Sequence, residues 1–132
     1  MNVFISCSEA DRELASALGV GLAKAGFTVW EPSNEISPGD NWHLEIGKAL
    51  QRSDAMIVLL SPESSASPSV RAEIEYALSA AQFRDRLIPV LVKETEDIPW
   101  ILRKQKIIKA TKDIDETVRR VASVLHKVPA AA

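Results

Sequence analysis

The run Ala55-Met56-Ile57-Val58-Leu59-Leu60 decides the fold of this chain. It is the longest uninterrupted apolar run in the sequence, and Asp54 precedes it while Ser61-Pro62 follows it. A six-residue run that is apolar on both faces is typical of a central strand in a parallel sheet, which helices cover on both sides. It is far shorter than the roughly 20 apolar residues that a membrane helix needs.

Strand and helix patterns alternate on either side of this run. Four more β-type runs are Val3-Phe4-Ile5, Phe27 to Trp30, Leu87 to Val92 and Lys106 to Ala110. Apolar residues at helical spacing separate the strands: Leu14, Leu18 and Leu22; Trp42, Ile46, Ala49 and Leu50; Val70, Ile74, Ala77, Leu78 and Ala81; and Ile114, Val118, Val121 and Leu125. The alternation predicts an α/β fold of the flavodoxin-like kind, a five-stranded parallel sheet in the order 2-1-3-4-5 with helices on both faces.

Several residues mark the ends of these elements. Ser8, with Asp11 three residues later, predicts a helix N-cap, and Gly26 predicts the end of the same helix. Ser67-Pro68 is an N-cap and first-position pair for the third helix. Pro89 within the fourth strand predicts a bulge or an edge position, because proline has no N–H to donate to a neighbouring strand.

Composition narrows the class of protein. The chain has 132 residues, a formal net charge of −2 and one cysteine, Cys7. We therefore expect one domain at residues 1–128, followed by a linker or an appended tail at residues 129–132. The charge balance gives no basis for binding nucleic acid or an anionic membrane, and the start of the chain has no signal-peptide pattern. These features predict a soluble cytoplasmic protein.

The fold places three segments around one crevice at the switch point of the sheet: Ser6 to Glu9, Glu31 to Asp40, and Ser61 to Ser69. Familiar motifs are missing from them. There is no phosphate-binding GxxxxGK[ST] loop, and the two histidines show no metal-ligand spacing, so no metal is expected. A response-regulator receiver needs an aspartate after the third strand, where this chain has Ser61. That alternative is excluded.

Three sets of residues form a recognisable pattern: Val3 to Ser6 with Asp11; Gly26 to Trp30 with Ile36 to Trp42; and Ser53-Asp54 and Ile57 to Pro62 with Val70 to Glu73, Ala77 and Leu78. Together they resemble TIR (Toll/interleukin-1 receptor) domains, in particular the bacterial kind that cleaves NAD⁺. Arg86 to Val90 matches the fourth strand of the family. The resemblance covers about residues 2–126.

The resemblance implies that Glu73 is the catalytic glutamate. In the NAD⁺-cleaving members it follows a tryptophan by four residues, and this chain has Ser69 there. The resemblance also implies a BB loop that mediates assembly, formed by Ile36, Ser37, Pro38, Gly39 and Asp40. NAD⁺ would be the substrate and no cofactor would be needed. Other TIR domains would be partners in a homo-oligomer or filament, together with a sensor domain or partner protein.

The residues themselves are consistent with this role for Glu73. On a helical wheel, Glu73 falls at the border of the apolar stripe and near the crevice end of its helix. A fixed carboxylate there can stabilise the oxocarbenium-like ribose that forms as nicotinamide departs. Water or the adenine of the same molecule then attacks, which gives ADP-ribose or a cyclic isomer. A plain helix N-terminal acid is the alternative.

Other crevice residues are candidates for substrate binding: Ser6, Cys7, Trp30, Trp42, Ser61 and Arg71. The two tryptophans could stack on nicotinamide or adenine, or could simply anchor the loop and the helix beside them. Arg71 could meet a phosphate, or be a solvated charge. Cys7 could equally be an ordinary small residue.

We therefore expect an NAD⁺ nucleosidase that acts in bacterial immune signalling or depletes NAD⁺ in anti-phage defence, and that self-assembly activates. Two alternatives stay open at this point. One is a non-enzymatic TIR–TIR interaction module, and the other is a binder of nucleotide-derived ligands, or a nucleoside transferase, on the same fold.

Overall fold

A computed structural model of the chain describes residues 1–31, 39, 42–83, 85–98, 100 and 102–127, with the backbone alone at residues 42, 43 and 104. Five strands form one parallel sheet in the order β2-β1-β3-β4-β5, which confirms the predicted fold class. The predicted tail at residues 129–132 lies outside the described residues. The last described helix ends at Lys127.

The strands are β1 (Asn2–Ser6), β2 (Thr28–Trp30), β3 (Ala55–Leu60), β4 (Leu87–Leu91) and β5 (Ile108–Lys109). The helices are α1 (Arg12–Lys24), α2 (Trp42–Arg52), the single turn α3 (Pro62–Ser65), α4 (Pro68–Ser79) and α5 (Ile114–Lys127). Short 3₁₀ turns lie at Glu9–Asp11, Ala81–Phe83 and Leu102–Lys104.

Strand β3 lies at the centre of the sheet, as its sequence predicts. It pairs with β1 on one side and with β4 on the other, and all six of its residues are buried. Because side chains alternate between the two faces of a strand, β3 contributes to two separate cores. Ala55, Ile57 and Leu59 pack toward α1 and α5, and Met56, Val58 and Leu60 pack toward α2 and α4.

Pro89 lies within β4 without a bulge, so the predicted bulge is wrong. The pairing of β3 with β4 runs without interruption from Met56–Leu87 to Leu60–Leu91. The Val92 N–H donates to the Leu60 carbonyl, and alternate amides of a strand point to the same neighbour. The nitrogen of Pro89 therefore faces β5, whose pairing with β4 begins only at Val90. The predicted edge position holds locally, because β5 is too short to reach Pro89.

The beginning of α1 also differs from the prediction. Ser8 precedes the 3₁₀ turn and makes no side-chain cap; its hydroxyl instead donates to Asp11 Oδ2 at 3.0 Å. The α-helix itself starts at Arg12. Its end is as predicted: Gly26 has φ +101°, and the Phe27 N–H donates to the Leu22 carbonyl. Such a left-handed residue is typical of a glycine-terminated helix.

Candidate functional site

Helix α4 begins at the crevice end of the sheet, and its sequence explains why. The Ser67 side chain accepts a hydrogen bond from the Val70 N–H at 3.3 Å, and Pro68 occupies the first helical position. This is the predicted N-cap pair. It places Ser69 in the first turn and Glu73 in the next turn, on the same side of the helix, since residues four apart are neighbours.

The carboxylate of Glu73 is held by two serine hydroxyls. Ser6, the last residue of β1, donates to Glu73 Oε1 at 2.7 Å, and Ser69 donates to Glu73 Oε2 at 2.8 Å. Glu73 is only 5% exposed and Ser6 is fully buried. Each carboxylate oxygen therefore has its own donor, which fixes the orientation of the group between the sheet and the helix.

Burial changes the acidity of this group. Desolvation by burial raises the pKa of Glu73 above its ordinary value, because removal from water disfavours the charged form. The hydrogen bonds from Ser6 and Ser69 act in the opposite direction, since they stabilise the carboxylate, but they are the smaller effect. Glu73 is thus a carboxylate with raised proton affinity, as is common for groups that take part in chemistry.

A cavity of about 640 Å³ lies beside Glu73, between α2 and α4. Glu73 is the charged residue among the described residues that line it, and most of the others are apolar or small. They are Ile46, Gly47, Leu50, Ser67, Pro68, Ser69, Ala72 and Tyr76. A mostly apolar cavity of this size with a few fixed polar groups is the usual form of a small-molecule site.

Trp30 lies on the same face of the sheet as this site. Its ring stacks on Phe4 with centroids 5.1 Å apart, and Phe4 and Trp30 are register partners of β1 and β2. Ser6 follows Phe4 by two residues and so points to the same face. Trp30 is partly buried against the core there. It therefore acts first as an anchor for the end of β2.

Ser61, a predicted substrate-binding residue, makes two internal hydrogen bonds with its hydroxyl. Its hydroxyl donates to Asp11 Oδ2 at 2.6 Å and caps α3 by accepting from the Ser64 N–H at 3.1 Å. Ser61 is fully buried. This network joins the end of β3 to the loop after β1, so Ser61 holds these two segments of the crevice together.

Cys7 follows β1 directly and packs at the border of the core. Burial raises its pKa to about 12, and the nearby carboxylates of Glu31, Asp11 and Glu73 add to the effect, while Arg12 opposes it. A thiol needs a lowered pKa to act as a nucleophile at neutral pH. Cys7 is therefore a packing residue at the crevice edge.

Arg71 does not line the cavity beside Glu73. It lines a different cavity, of about 570 Å³, together with Glu96, Asp97 and Ile98, and its guanidinium donates to the Ser65 carbonyl at 2.9 Å. Two residues along a helix correspond to a turn of about 200°, so Arg71 and Glu73 project in different directions. The structure therefore places Arg71 and Glu73 at different cavities, and the phosphate contact of Arg71 stays a prediction.

The predicted BB loop falls mostly outside the described residues. This holds for Ile36, Ser37, Pro38 and Asp40, whereas Gly39 is exposed in a turn with φ +92°. Trp42 is the first residue of α2. Its side chain is among those not described.

The sequence analysis does not identify Ser69 as a partner of Glu73. It names Ser69 only as the residue at the position of the family tryptophan. The i, i+4 spacing of two polar residues on one helix was the available signal. The sequence also did not indicate that the carboxylates of Asp11 and Glu31 are buried; the two residues are 5% and 3% exposed. Asp11 accepts from Ser8 and Ser61, and Glu31 accepts from Ser16 at 3.2 Å.

Within the described ranges, no group of three or more His, Cys, Asp or Glu side chains could hold a metal ion. Nor does any helix in that part of the chain have the length and apolar character to cross a membrane.

The fold recurs in solved structures. The TIR domain of a Toll-related receptor from Hydra magnipapillata is 24% identical, with a TM-score of 0.74 and 94% of each chain covered. A TIR-STING receptor from C. gigas is 25% identical, with a TM-score of 0.80 over 95% of this chain and 39% of that one. A CMP N-glycosidase from Clostridium botulinum is 18% identical, with a TM-score of 0.59 over 93% and 99%.

No curated protein matches the chain in sequence. The family model for the TIR domain, by contrast, matches residues 3–123, nearly the whole chain. The match spans the sheet, the crevice and the helix that carries Glu73. This chain therefore belongs to the TIR domain family.

Proposed function

We propose that this TIR domain is an NAD⁺ nucleosidase that cleaves the bond between nicotinamide and ribose, with Glu73 as its catalytic residue. The observation that carries the proposal is a buried carboxylate, held at both oxygens by Ser6 and Ser69, that borders a cavity of ligand size. A helix-terminal acid with no chemical role has no need of burial or of two dedicated donors.

The reaction suits a single fixed carboxylate. The nicotinamide nitrogen is positively charged in the substrate and becomes neutral on departure, so the leaving group needs no acid. The ribose carbon becomes positively charged at the same time, and the ionised Glu73 stabilises that charge. Because Ser6 and Ser69 already orient the carboxylate, little reorganisation accompanies the reaction. Water or the adenine of the same molecule then attacks, which gives ADP-ribose or a cyclic isomer.

The relatives support the class of chemistry and leave a second function open. The structure from Clostridium botulinum is that of a CMP N-glycosidase, so a related fold carries cleavage of an N-glycosidic bond. The Hydra and C. gigas structures are receptors or parts of receptors, and these favour the alternative of an interaction module in signalling. We propose that self-assembly with other copies controls the function of the domain, whether that function is enzymatic or signalling.

The test is nicotinamide release from NAD⁺ at high protein concentration, with wild type, Glu73→Gln and Glu75→Gln compared. Glu75 lies on the exposed side of the same helix and is the matched control. We expect Glu73→Gln to lose about a hundred-fold or more in kcat, the scale of removing one electrostatic contact to a transition state. Glu75→Gln is expected to match wild type.

Equal turnover by wild type and Glu73→Gln would show that the catalytic residue lies elsewhere. No release by any of the three, with assembly visible by light scattering, would favour the interaction module.

A further inference from the structure

The cavity beside Glu73 has a charge pattern that bears on its substrate. Among the described residues that line it there is no lysine or arginine, and Glu73 supplies a negative charge. The one nearby arginine of α4, Arg71, lines another cavity and donates to the Ser65 carbonyl.

The crevice edge has the same sign. Among the described residues, Glu31, Asp11 and Glu73 raise the pKa of Cys7 electrostatically, and Arg12 lowers it. Arg12 is already near a carboxylate of its own, with Glu9 at 3.8 Å. The described carboxylates beside Cys7 therefore outnumber the described cations there.

The N-terminus of α4 does not compensate. Helix N-termini often bind phosphate through free backbone N–H groups. Here Pro68 has no N–H, and the Val70 N–H is taken by the Ser67 hydroxyl. The first turn therefore presents little of the donor array that a phosphate site needs.

We propose, on the basis of the proposed function, that the Glu73 cavity selects N-ribosides of cationic bases and does not recognise phosphate. The apolar surfaces of Ile46 and Leu50 and the ring of Tyr76 would hold the base, while the carboxylate attracts its positive charge. The phosphates of NAD⁺ would stay in solvent. A phosphate-free pyridinium riboside is then as good a substrate as NAD⁺, or a better one.

The experiment compares nicotinamide release from nicotinamide riboside, which is a net cation, with release from NAD⁺, a net anion, at about 20 and 200 mM salt. We expect kcat/KM for the riboside to equal or exceed that for NAD⁺. Added salt screens both interactions, so it should lower kcat/KM for the riboside and raise it for NAD⁺.

A variant sharpens the comparison. Ala72 is exposed and borders the cavity, so Ala72→Lys adds a cation there, whereas Leu78→Lys adds one on an exposed part of α4 outside it. Ala72→Lys should increase the ratio of kcat/KM for NAD⁺ over that for the riboside several-fold. Leu78→Lys should leave the ratio unchanged.

The outcomes separate the two proposals. Turnover of NAD⁺ with a riboside kcat/KM more than a hundred-fold lower would overturn this inference and leave the nucleosidase intact. Absence of turnover for both substrates would overturn the proposed function itself, and the inference with it.

Discussion

The sequence of a single helix predicts only part of the site around Glu73. The position of Glu73 at the border of the apolar stripe of α4 follows from helical spacing alone, and the structure agrees, because Val70, Ile74 and Ala77 are buried beside it. The bond from Ser6 joins residues 67 positions apart, so only the assembled sheet brings it about. Ser61 illustrates the reverse, since a residue predicted to face substrate is consumed by internal bonds.

The two donors should differ in their value to stability. Ser6→Ala leaves Glu73 Oε1 without its donor in a fully buried place, and we expect a loss of about 1–3 kcal/mol in the free energy of unfolding. Ser69→Ala should cost less, because Ser69 is exposed and water can replace its hydroxyl. Urea denaturation of both variants at pH 7.5 measures the difference. Equal losses would show that water does not reach Oε2.

The raised pKa of Glu73 predicts that its ionisation lowers the stability of the fold as the pH rises. Its proton is held more tightly in the folded protein than in the unfolded chain, because burial disfavours the charge. The stability gained from that proton is fully present below the ordinary carboxyl pKa and is lost as pH rises through the folded value. Glu73→Gln should therefore match wild type near pH 4 and be more stable than wild type at pH 8.

Thermal unfolding of wild type and Glu73→Gln across this range is the measurement. A wild type that is the more stable of the two at pH 8 would mean that the hydroxyls of Ser6 and Ser69 outweigh burial. A catalytic carboxylate that weakens the fold it belongs to is a common trade-off between stability and function.

At the scale of elements, the sequence predicted types well and details of contact poorly. Strand β3 has the predicted bounds, since six apolar residues between polar ones leave little choice. The second strand is one residue shorter than predicted, and the first helix starts later, because the Ser8 hydroxyl bonds Asp11 rather than the backbone. The position of the Asp11 carboxylate also depends on Ser61, which lies fifty residues away and donates to it. The local sequence therefore does not indicate this arrangement.

The packing of α1 on α5 predicts the effect of two glycine substitutions. A methyl group at Gly21 would lie 2.5 Å from Val118 Cγ2, and β-branched valine has little freedom to move away. Gly21→Ala should destabilise the protein by about 1–3 kcal/mol. At Gly19 the nearest atom would be Val29 Cγ1 at 3.4 Å, an ordinary contact.

Gly19→Ala is therefore the control. It should be neutral or stabilising by up to about 1 kcal/mol, because alanine favours the helix. Chemical denaturation of the two variants checks the prediction. A neutral Gly21→Ala would mean that the two helices separate at little cost.

At the scale of the whole molecule, charge is unevenly distributed. The chain has 16 basic and 18 acidic residues, yet a cavity of about 550 Å³ between β5 and α5 is lined by cations. Among its described lining residues are Lys106, Lys109, Arg119, Arg120 and Lys127 against the single carboxylate of Glu116. The carboxylates of Asp11, Glu31 and Glu73 lie around the crevice and do not line this cavity. A molecule with faces of opposite sign can associate head to tail.

The proposed self-assembly should therefore depend on salt and on this basic face. We expect Arg119→Glu with Lys127→Glu to raise the protein concentration needed for assembly at low ionic strength by tenfold or more. Lys48→Glu with Arg52→Glu makes the same change in net charge on exposed parts of α2 and should have less effect. Light scattering across a concentration series measures both. Equal effects from the two pairs would show that only net charge matters.

The thiol at the crevice edge has a consequence for how the domain responds to oxidation. With a pKa of about 12, Cys7 is ionised in roughly one molecule in a hundred thousand at pH 7. Only the thiolate attacks peroxide or exchanges with a disulfide, so Cys7 should react slowly with both while the domain is folded. Rapid oxidation of Cys7 would therefore require the loop after β1 to open. The rate at which its single thiol is oxidised would thus report local opening at the edge of the crevice.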